Sequence, residues 1–243
     1  MLDALAMTDQ VARAQDAPAG LDPLNDPQAQ AVAHVDGPVI VFAGAGSGKT
    51  RVITYRIANL VAVHRVPPYR VLAVTFTNKA AGEMRERLER LLGQDVTRDL
   101  WVGTFHATCV RLLRRHYEEA GLRRDFSIYD TSDQRAVMTR LMRDIDIDEK
   151  RNPPQKILAR ISREKQEARG PDDMQIASYV DDIVRRCFAE YQQRMRGANA
   201  VDFDDLLLAV LRLVEDRRSP AGKDLRSRFS YVLIDEFQDV NLV

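Results

Sequence analysis

Val39-Ile-Val-Phe-Ala-Gly-Ala-Gly-Ser-Gly-Lys-Thr-Arg51 is the stretch on which the reading of the chain turns. Four apolar residues, Val39 to Phe42, predict a buried strand. Gly44, Gly46 and Gly48 predict a tight turn, and Lys49 and Thr50 open a stretch of helical periodicity. Strand, glycine loop and helix in that order make the P-loop arrangement. Its glycines let backbone N–H groups close around phosphate oxygens, and the helix N-terminus adds partial positive charge there. Lys49 is placed to reach the β and γ phosphates, and Thr50 to hold magnesium through its hydroxyl. The first loop position is Ala43 where the strict pattern has glycine, so the flanking strand and helix carry the assignment.

Working outward, residues 49–64 read as an amphipathic helix with Val52, Ile53, Ile57, Leu60 and Val61 on one face. Pro67-Pro68 ends it. Val71 to Phe76 predicts a strand, Thr77-Asn78-Lys79 a turn, and Ala80 to Leu92 a helix with Met84, Leu88 and Leu91 inward. Trp101 to Phe105 predicts a further strand. Strands alternating with helices point to an α/β domain with a parallel sheet. Upstream, Leu24 to Val32 reads as a helix capped by Asn25 or Asp26, with Pro27 at its first turn. Gln28 carries an amide that donates and accepts at once, as reading an adenine edge requires; the plain alternative is an exposed surface glutamine. Residues 1–22 are rich in Ala and Asp and read as a mobile tail.

From about 107 to 197 helical spacing dominates, apart from a short Phe126-Ser-Ile-Tyr129. The clearest helix spans 174–196, with Ile176, Tyr179, Val180, Ile183, Val184, Cys187, Phe188, Tyr191 and Met195 on one stripe, which makes Cys187 and Met195 core residues. Asn152-Pro-Pro154 and Arg169-Gly-Pro171 break the helices. The expected organisation is a tail over 1–22, an α/β domain over 23–107 and 199–243, and an all-helical insertion over 108–198. Asp202 to Asp205 caps a helix from Leu206 to Val214, which Ser219-Pro220 ends. Tyr231-Val-Leu-Ile-Asp-Glu-Phe-Gln-Asp239 then predicts a strand ending in paired acids. Beside a P-loop, Asp235 is placed to hold magnesium and Glu236 to act as general base toward water. Without the P-loop the same pair would read as an acidic turn.

Composition narrows the partners. At 243 residues with 45% hydrophobic content the chain can bury a real core. Lys plus Arg and Asp plus Glu both number 36, so any nucleic-acid site must be a local patch. Cys109 and Cys187 have no metal or redox spacing, which fits buried thiols in a reducing compartment. The four histidines form no zinc pattern. No apolar run approaches a membrane span, and the first residues, with Asp3 and Asp9, do not read as a signal peptide.

Taken together, Ala43-Gly-Ala-Gly-Ser-Gly-Lys-Thr50, Thr75-Phe-Thr-Asn-Lys-Ala-Ala81, Gly103-Thr-Phe-His106, Val201-Asp-Phe-Asp-Asp-Leu206 and Ile234-Asp-Glu-Phe-Gln-Asp239 resemble successive motifs of the superfamily 1A DNA helicases, nearest the UvrD/PcrA/Rep group. The resemblance covers about residues 22–243 and keeps the family's order. It implies a RecA-like P-loop NTPase sheet with a helical insertion, ATP and Mg2+ as cofactors, and a 3′-to-5′ single-strand DNA translocase and helicase. By resemblance, Gln28 and the loop from Ala43 through Gly44, Ala45, Gly46, Ser47, Gly48, Lys49 and Thr50 to Arg51 bind ATP. Thr50 and Asp235 hold the metal, Glu236 activates water, and Gln238 couples the ATP site to DNA. Phe76, Thr77, Asn78, Thr104 and His106 resemble single-strand contacts. For Phe76, stacking on a base and a plain core role are both open from spacing alone, and His106 also reads as a structural histidine.

The resemblance further implies two motor domains, of which this chain holds part of the first. Partners would be single-stranded DNA and single-strand/duplex junctions, with no membrane. The setting would be the bacterial cytoplasm and nucleoid, in repair or replication. A strand following Val243 would lie between the Asp235 strand and the P-loop strand, so the chain is expected to be the N-terminal part of a longer protein with open strand edges. A helicase–nuclease of the RecB/AddA type shares this motor and is the neighbouring reading, as is a truncated module that binds nucleotide or DNA without catalysis.

Overall fold

The computed structural model describes residues 23–44 and 46–240. The tail expected over 1–22 lies outside the described residues. The chain divides into two compact units. One holds the described residues through Phe105 and Ser227–Phe237, the other His106–Arg226 and the residues from Gln238 on.

In the first unit, β1 (Val71–Thr75) is buried along its whole length. A strand without a polar face must be covered on both sides, as in a parallel sheet packed by helices. It pairs in parallel with β2 (Trp101–Thr104), Leu72 facing Trp101 and Thr75 facing Thr104. On its other side it pairs in parallel with β5 (Tyr231–Ile234), Val71 facing Tyr231 and Val74 facing Ile234. The order is β2-β1-β5. Matched registers bring three C-terminal ends to one edge of the sheet, where Phe76, Phe105 and Asp235 follow.

Helices α1 (Asp26–Ala33), α2 (Lys49–Ala62), α3 (Asn78–Leu92) and α4 (Gln94–Asp99) belong to this unit. Ile57 of α2 and Met84 and Leu88 of α3, each fully buried, pack with Val71, Ala73, Val102 and Leu233 of the sheet. Burying a side chain of this size contributes about 1.5–3 kcal/mol. A second cluster sets Leu24, Ala29 and Val32 against Val52 and Tyr55, fixing α1 on α2. The expected turn at Thr77 is a helix cap: the Thr77 hydroxyl accepts from Ala80 N at 3.1 Å, so α3 starts at Asn78.

The buried strand expected over Val39–Phe42 does not form. These residues make no ladder, and Ile40 and Phe42 are 65% and 93% exposed. A strand needs a hydrogen-bonded neighbour, and among the described residues none lies against this segment. The P-loop is therefore carried by α2 and by its own turns.

The second unit contains most of α5 (Phe105–Arg115), with α6 (Thr131–Asp144), α7 (Pro154–Gln166), α8 (Tyr179–Gly197), α9 (Phe203–Glu215) and most of α10 (Pro220–Arg228). Its core is built from Met138, Leu141, Ile157, Ile161, Val184, Phe188 and Tyr191. The short Phe126–Tyr129 segment gives β3 (Ser127–Ile128), which pairs in parallel with β4 (Ala200–Val201). The helix expected from 174 begins at Tyr179 instead, because Ser178 caps it, accepting from Asp181 N at 3.2 Å. Ile176, Tyr179 and Val180 lie in or before that first turn and are exposed, so they leave the predicted core stripe. Cys187 and Met195 are buried as expected, and burial pushes the Cys187 thiol up to about 11 and the Cys109 thiol up to about 12. α9 ends at Glu215 with Asp216 as its C-cap, ahead of the expected stop at Ser219-Pro220; Pro220 instead opens α10, where its missing N–H costs nothing, and Ser219 Oγ accepts from Gly222 N at 2.9 Å.

Lys165 is 1% exposed, with Nζ at 2.7 Å from Asp202 and 2.6 Å from Asp205. The Tyr191 hydroxyl donates to Asp202 at 3.2 Å. Burial disfavours the Lys165 charge, but the two carboxylates outweigh it and its pKa is raised. Asp202 caps α9 and accepts from Asp205 N at 2.9 Å, so this network ties α7, α8 and the start of α9 together. Removing one partner from such a buried set typically costs about 3–5 kcal/mol.

The exposed apolar run Val39–Phe42 and the outer edge of β5, where Val232 is 55% exposed, are open to pairing. The 243-residue chain is expected to self-associate with rising concentration in sedimentation velocity. Replacing Ile40 and Phe42 together by lysine should return it toward monomer. Unchanged association in that variant would place the contact elsewhere.

Candidate functional site

The loop is shaped by two glycines in the left-handed region, Gly46 at φ +75° and Gly48 at φ +85°. Gly48 is the N-cap of α2, and a Cβ there would meet the Gln28 amide nitrogen at 3.0 Å. Ser47 Oγ donates to Gly44 O at 2.7 Å inside the turn. Gln28 Nε2 donates to Ser47 O at 2.9 Å, while its Oε1 accepts from Asn25 N at 3.1 Å in the capping box of α1. Both ends of this amide are engaged, so Gln28 braces the loop against α1. Its sequence context did not reveal that role. Ala43 is half-buried, and Ala45 lies outside the described residues.

The paired acids arrive from β5. Asp235 N donates to Val74 O at 3.0 Å, which continues the β1–β5 register by one residue. Thr50 Oγ1 donates to Asp235 Oδ2 at 3.2 Å, joining residues 185 apart in sequence. Lys49 Nζ lies 3.4 Å from Glu236 Oε1, with the two side chains 30% and 40% exposed. A pair that open to solvent contributes about 0–1 kcal/mol, so a phosphate can displace Glu236 from Lys49 at little cost. Glu236 has φ +53°, a left-handed backbone for a non-glycine residue, and Asp235 Oδ1 accepts its N–H at 3.1 Å. Such conformations cost about 1–3 kcal/mol and concentrate at functional sites.

Lys49, Thr50 and Glu236 line a cavity of about 640 Å³ together with Gly44, Gly46 and Gly48. Arg51, Thr54 and Tyr55 of α2 and Arg87, Arg90 and Leu91 of α3 complete the wall. The Arg51 guanidinium donates to Pro23 O and stands 6.0 Å from the Tyr55 ring centre. That volume suits a nucleotide. A hydroxyl and a carboxylate, Thr50 and Asp235, are hard oxygen donors of the kind Mg2+ takes alongside phosphates and water. No group of three or more His, Cys, Asp or Glu side chains that could cage a metal occurs among the described residues.

The remaining candidates do not line the cavity. Phe76, just past the end of β1, is 41% exposed and packs edge-on against Phe105 at 5.5 Å. Thr77 spends its hydroxyl on the α3 cap, and Asn78 is exposed on the first turn. Thr104 is buried at the end of β2. In the second unit, His106 packs edge-on against Phe203 at 5.4 Å, and Phe203 is 44% exposed on the first turn of α9. Phe203 was masked in the sequence by the acidic capping motif around it; its signal is a large apolar residue at an early helical position that caps leave facing solvent. Gln238 lies in the 3-10 turn Phe237–Asp239. No helix among the described residues is long and apolar enough to cross a membrane.

Residues 24–243 match the family of the UvrD/REP helicase N-terminal domain. The chain is 43% identical over 223 residues to the ATP-dependent DNA helicase PcrA of Bacillus subtilis, covering 91% of this chain and 30% of that protein. It is 44% identical over 220 residues to the PcrA helicase of Leuconostoc citreum, covering 90% and 29%. Against the PcrA helicase of Staphylococcus aureus the identity is 41% over 223 residues. The chain thus spans about 30% of the length of the curated relatives it matches.

Two outcomes follow from this geometry. Lys49→Ala should weaken nucleotide binding by about 1.5–3 kcal/mol, the worth of a charge-assisted hydrogen bond, in a fluorescent-nucleotide titration. Unaltered affinity would remove Lys49 from the site. On the single-strand contact that the resemblance implies for it, Phe76→Ala should weaken single-stranded DNA binding by about 1–3 kcal/mol with little dependence on base sequence. A lower melting temperature with unchanged DNA affinity would make Phe76 a packing residue for Phe105 only.

Proposed function

The chain belongs to the UvrD/REP helicase N-terminal domain family, and on that premise we propose that it is the nucleotide-binding part of an ATP-driven, 3′-to-5′ single-strand DNA translocase that unwinds duplex DNA. The observation that carries the reading is the Thr50–Asp235 hydrogen bond beside the Lys49–Glu236 pair. It joins phosphate loop and acidic strand end in one site, as hydrolysis of a phosphoanhydride requires.

Bound Mg2+ and ATP would supply the bond to be cleaved and the charge that polarises it. The loop N–H groups and Lys49 hold the phosphate chain. Thr50 and Asp235 hold the metal. Once Lys49 turns to phosphate, the Glu236 carboxylate is released to accept a proton from water. Ser47, through its carbonyl, ties the loop to Gln28, so adenine recognition by that amide would be felt at the loop itself. Phe76 stacks on an unpaired base, while Thr77, Asn78, Thr104 and His106 contact the strand and Gln238 links the two functions. Single-stranded DNA and its junctions with duplex are the proposed partners, in the bacterial cytoplasm and in repair or replication.

Stepping along a strand needs ATP to bridge two domains, since only that closure converts binding into movement. The arginines that the family's second motor domain aims at the γ phosphate are worth about 10³–10⁵ in rate in phosphoryl transfer. The 243 residues alone are therefore expected to show at most trace ATPase and no strand displacement. In a protein extended through both motor domains, Glu236→Gln should keep ATP binding and lose about 10²–10⁴-fold in DNA-stimulated turnover. Full turnover in that variant would take the base role from Glu236, and robust unwinding by the 243-residue chain would overturn the two-domain reading.

A further inference from the structure

We propose that Arg87 and Arg90 of α3 bind the phosphate chain of the nucleotide from the cavity wall facing α2, as a second cationic arm beside Lys49. The inference rests on the nucleotide reading of the cavity and assigns a role to residues outside the P-loop and the acidic strand end.

The charge distribution is the starting point. Four cationic side chains, Lys49, Arg51, Arg87 and Arg90, line the cavity against one carboxylate, Glu236. In a concave site such an imbalance raises the potential and favours a polyanion. Lys49 is matched by Glu236, and Arg51 is engaged with Pro23 O. Arg87 makes no ion pair or hydrogen bond among the described residues. Among the described residues Arg90 reaches only Glu86, at 3.9 Å, with both side chains about two-thirds exposed at 66% and 70%. That contact is too weak to compete with phosphate.

The helix explains why these two arginines and not others face the cavity. Met84 and Leu88 are fully buried against the sheet and set the rotation of α3. Arg87 and Arg90, three apart, then share one edge of the helix with Leu91. Arg85 points elsewhere and donates to Val102 O at 2.7 Å, a structural use of the same residue type two positions before Arg87. A guanidinium presents a planar fork of donors that matches two phosphate oxygens at once, which an ammonium cannot do. In the sequence both residues look like the solvated face of an amphipathic helix, because only the folded α2–α3 pair brings them into the lining of the cavity.

The test uses the 243-residue chain with a fluorescent ATP analogue and Mg2+, displaced by ATP or by inorganic tripolyphosphate. Arg87→Ala should bind each ligand about tenfold more weakly, and Arg87→Ala with Arg90→Ala about 30- to 100-fold, with a shallower salt dependence. Arg87→Lys should recover part of the loss, and melting temperatures should stay at the wild-type value because both side chains are exposed. A double variant that binds ATP like wild type while Lys49→Ala does not would make the arginines a solvated face and leave the P-loop reading intact. A loss confined to ATP, with tripolyphosphate unaffected, would also overturn the phosphate assignment. Binding that Lys49→Ala leaves unchanged would overturn the nucleotide reading of the cavity and the inference with it.

Discussion

β1 has no residue that faces water, and this requirement organises the α/β unit. Five successive buried residues can be covered only if helices pack on both faces and strands pair on both sides. The pairing is in register with β2 on one side and β5 on the other, so the chain's late strand is drawn beside its early one. The register then fixes the chemistry. Ile234 opposes Val74, Asp235 N bonds to Val74 O, and the next peptide carries Glu236 toward Lys49. A one-residue slip would turn Asp235 to the other face of the sheet and separate it from Thr50.

Two kinds of polar contact follow, and they differ in how replaceable they are. In the helical unit, Lys165, Asp202 and Tyr191 are closed off from water with Asp205 at their edge, and withdrawing Lys165 would leave two carboxylates without their cation. At the phosphate loop, Lys49 and Glu236 are partly open to solvent. Their attraction is small; water can take either partner's place, and phosphate can take that of Glu236. The fixed network shapes an element; the open pair leaves its members available for chemistry. The left-handed Glu236 belongs to the second kind, since its carboxylate position is bought with backbone strain that Asp235 relieves through its N–H.

Much of this was legible because the relevant signals are local. Glycine spacing marks the loop, and apolar residues at helical spacing mark α2 and α3. Acids at the end of an apolar run mark Asp235 and Glu236. What was not legible depends on partners distant in sequence. Val39–Phe42 has the composition of a buried strand, but strand formation is a property of a pair, and no described strand meets it. Ile176, Tyr179 and Val180 fit the helical stripe of α8, yet the Ser178 cap leaves Ile176 outside the helix and Tyr179 and Val180 in an exposed first turn. Gln28 was visible as a bifunctional amide, but not as the brace between α1 and Ser47, which needs the fold of two segments 19 residues apart. Phe203 was hidden inside an acidic cap whose register decides that its ring faces out.

The same limit applies to charge. A chain with equal numbers of acidic and basic side chains gives no hint of an anionic ligand in its net balance. Folding sorts the charges. In the helical unit many arginines are matched, as Arg194 is by Asp144 and Glu190, and Arg169 by Glu164 and Glu167. In the lining of the cavity beside the phosphate loop the balance is broken, with one carboxylate among four cations. Local excess against a neutral background suits a site that must hold a highly charged ligand and let it go. Long-range attraction stays modest and screened, while short-range contacts supply the affinity. Release then requires only that those few contacts be exchanged for water or for Glu236, with no large field to escape.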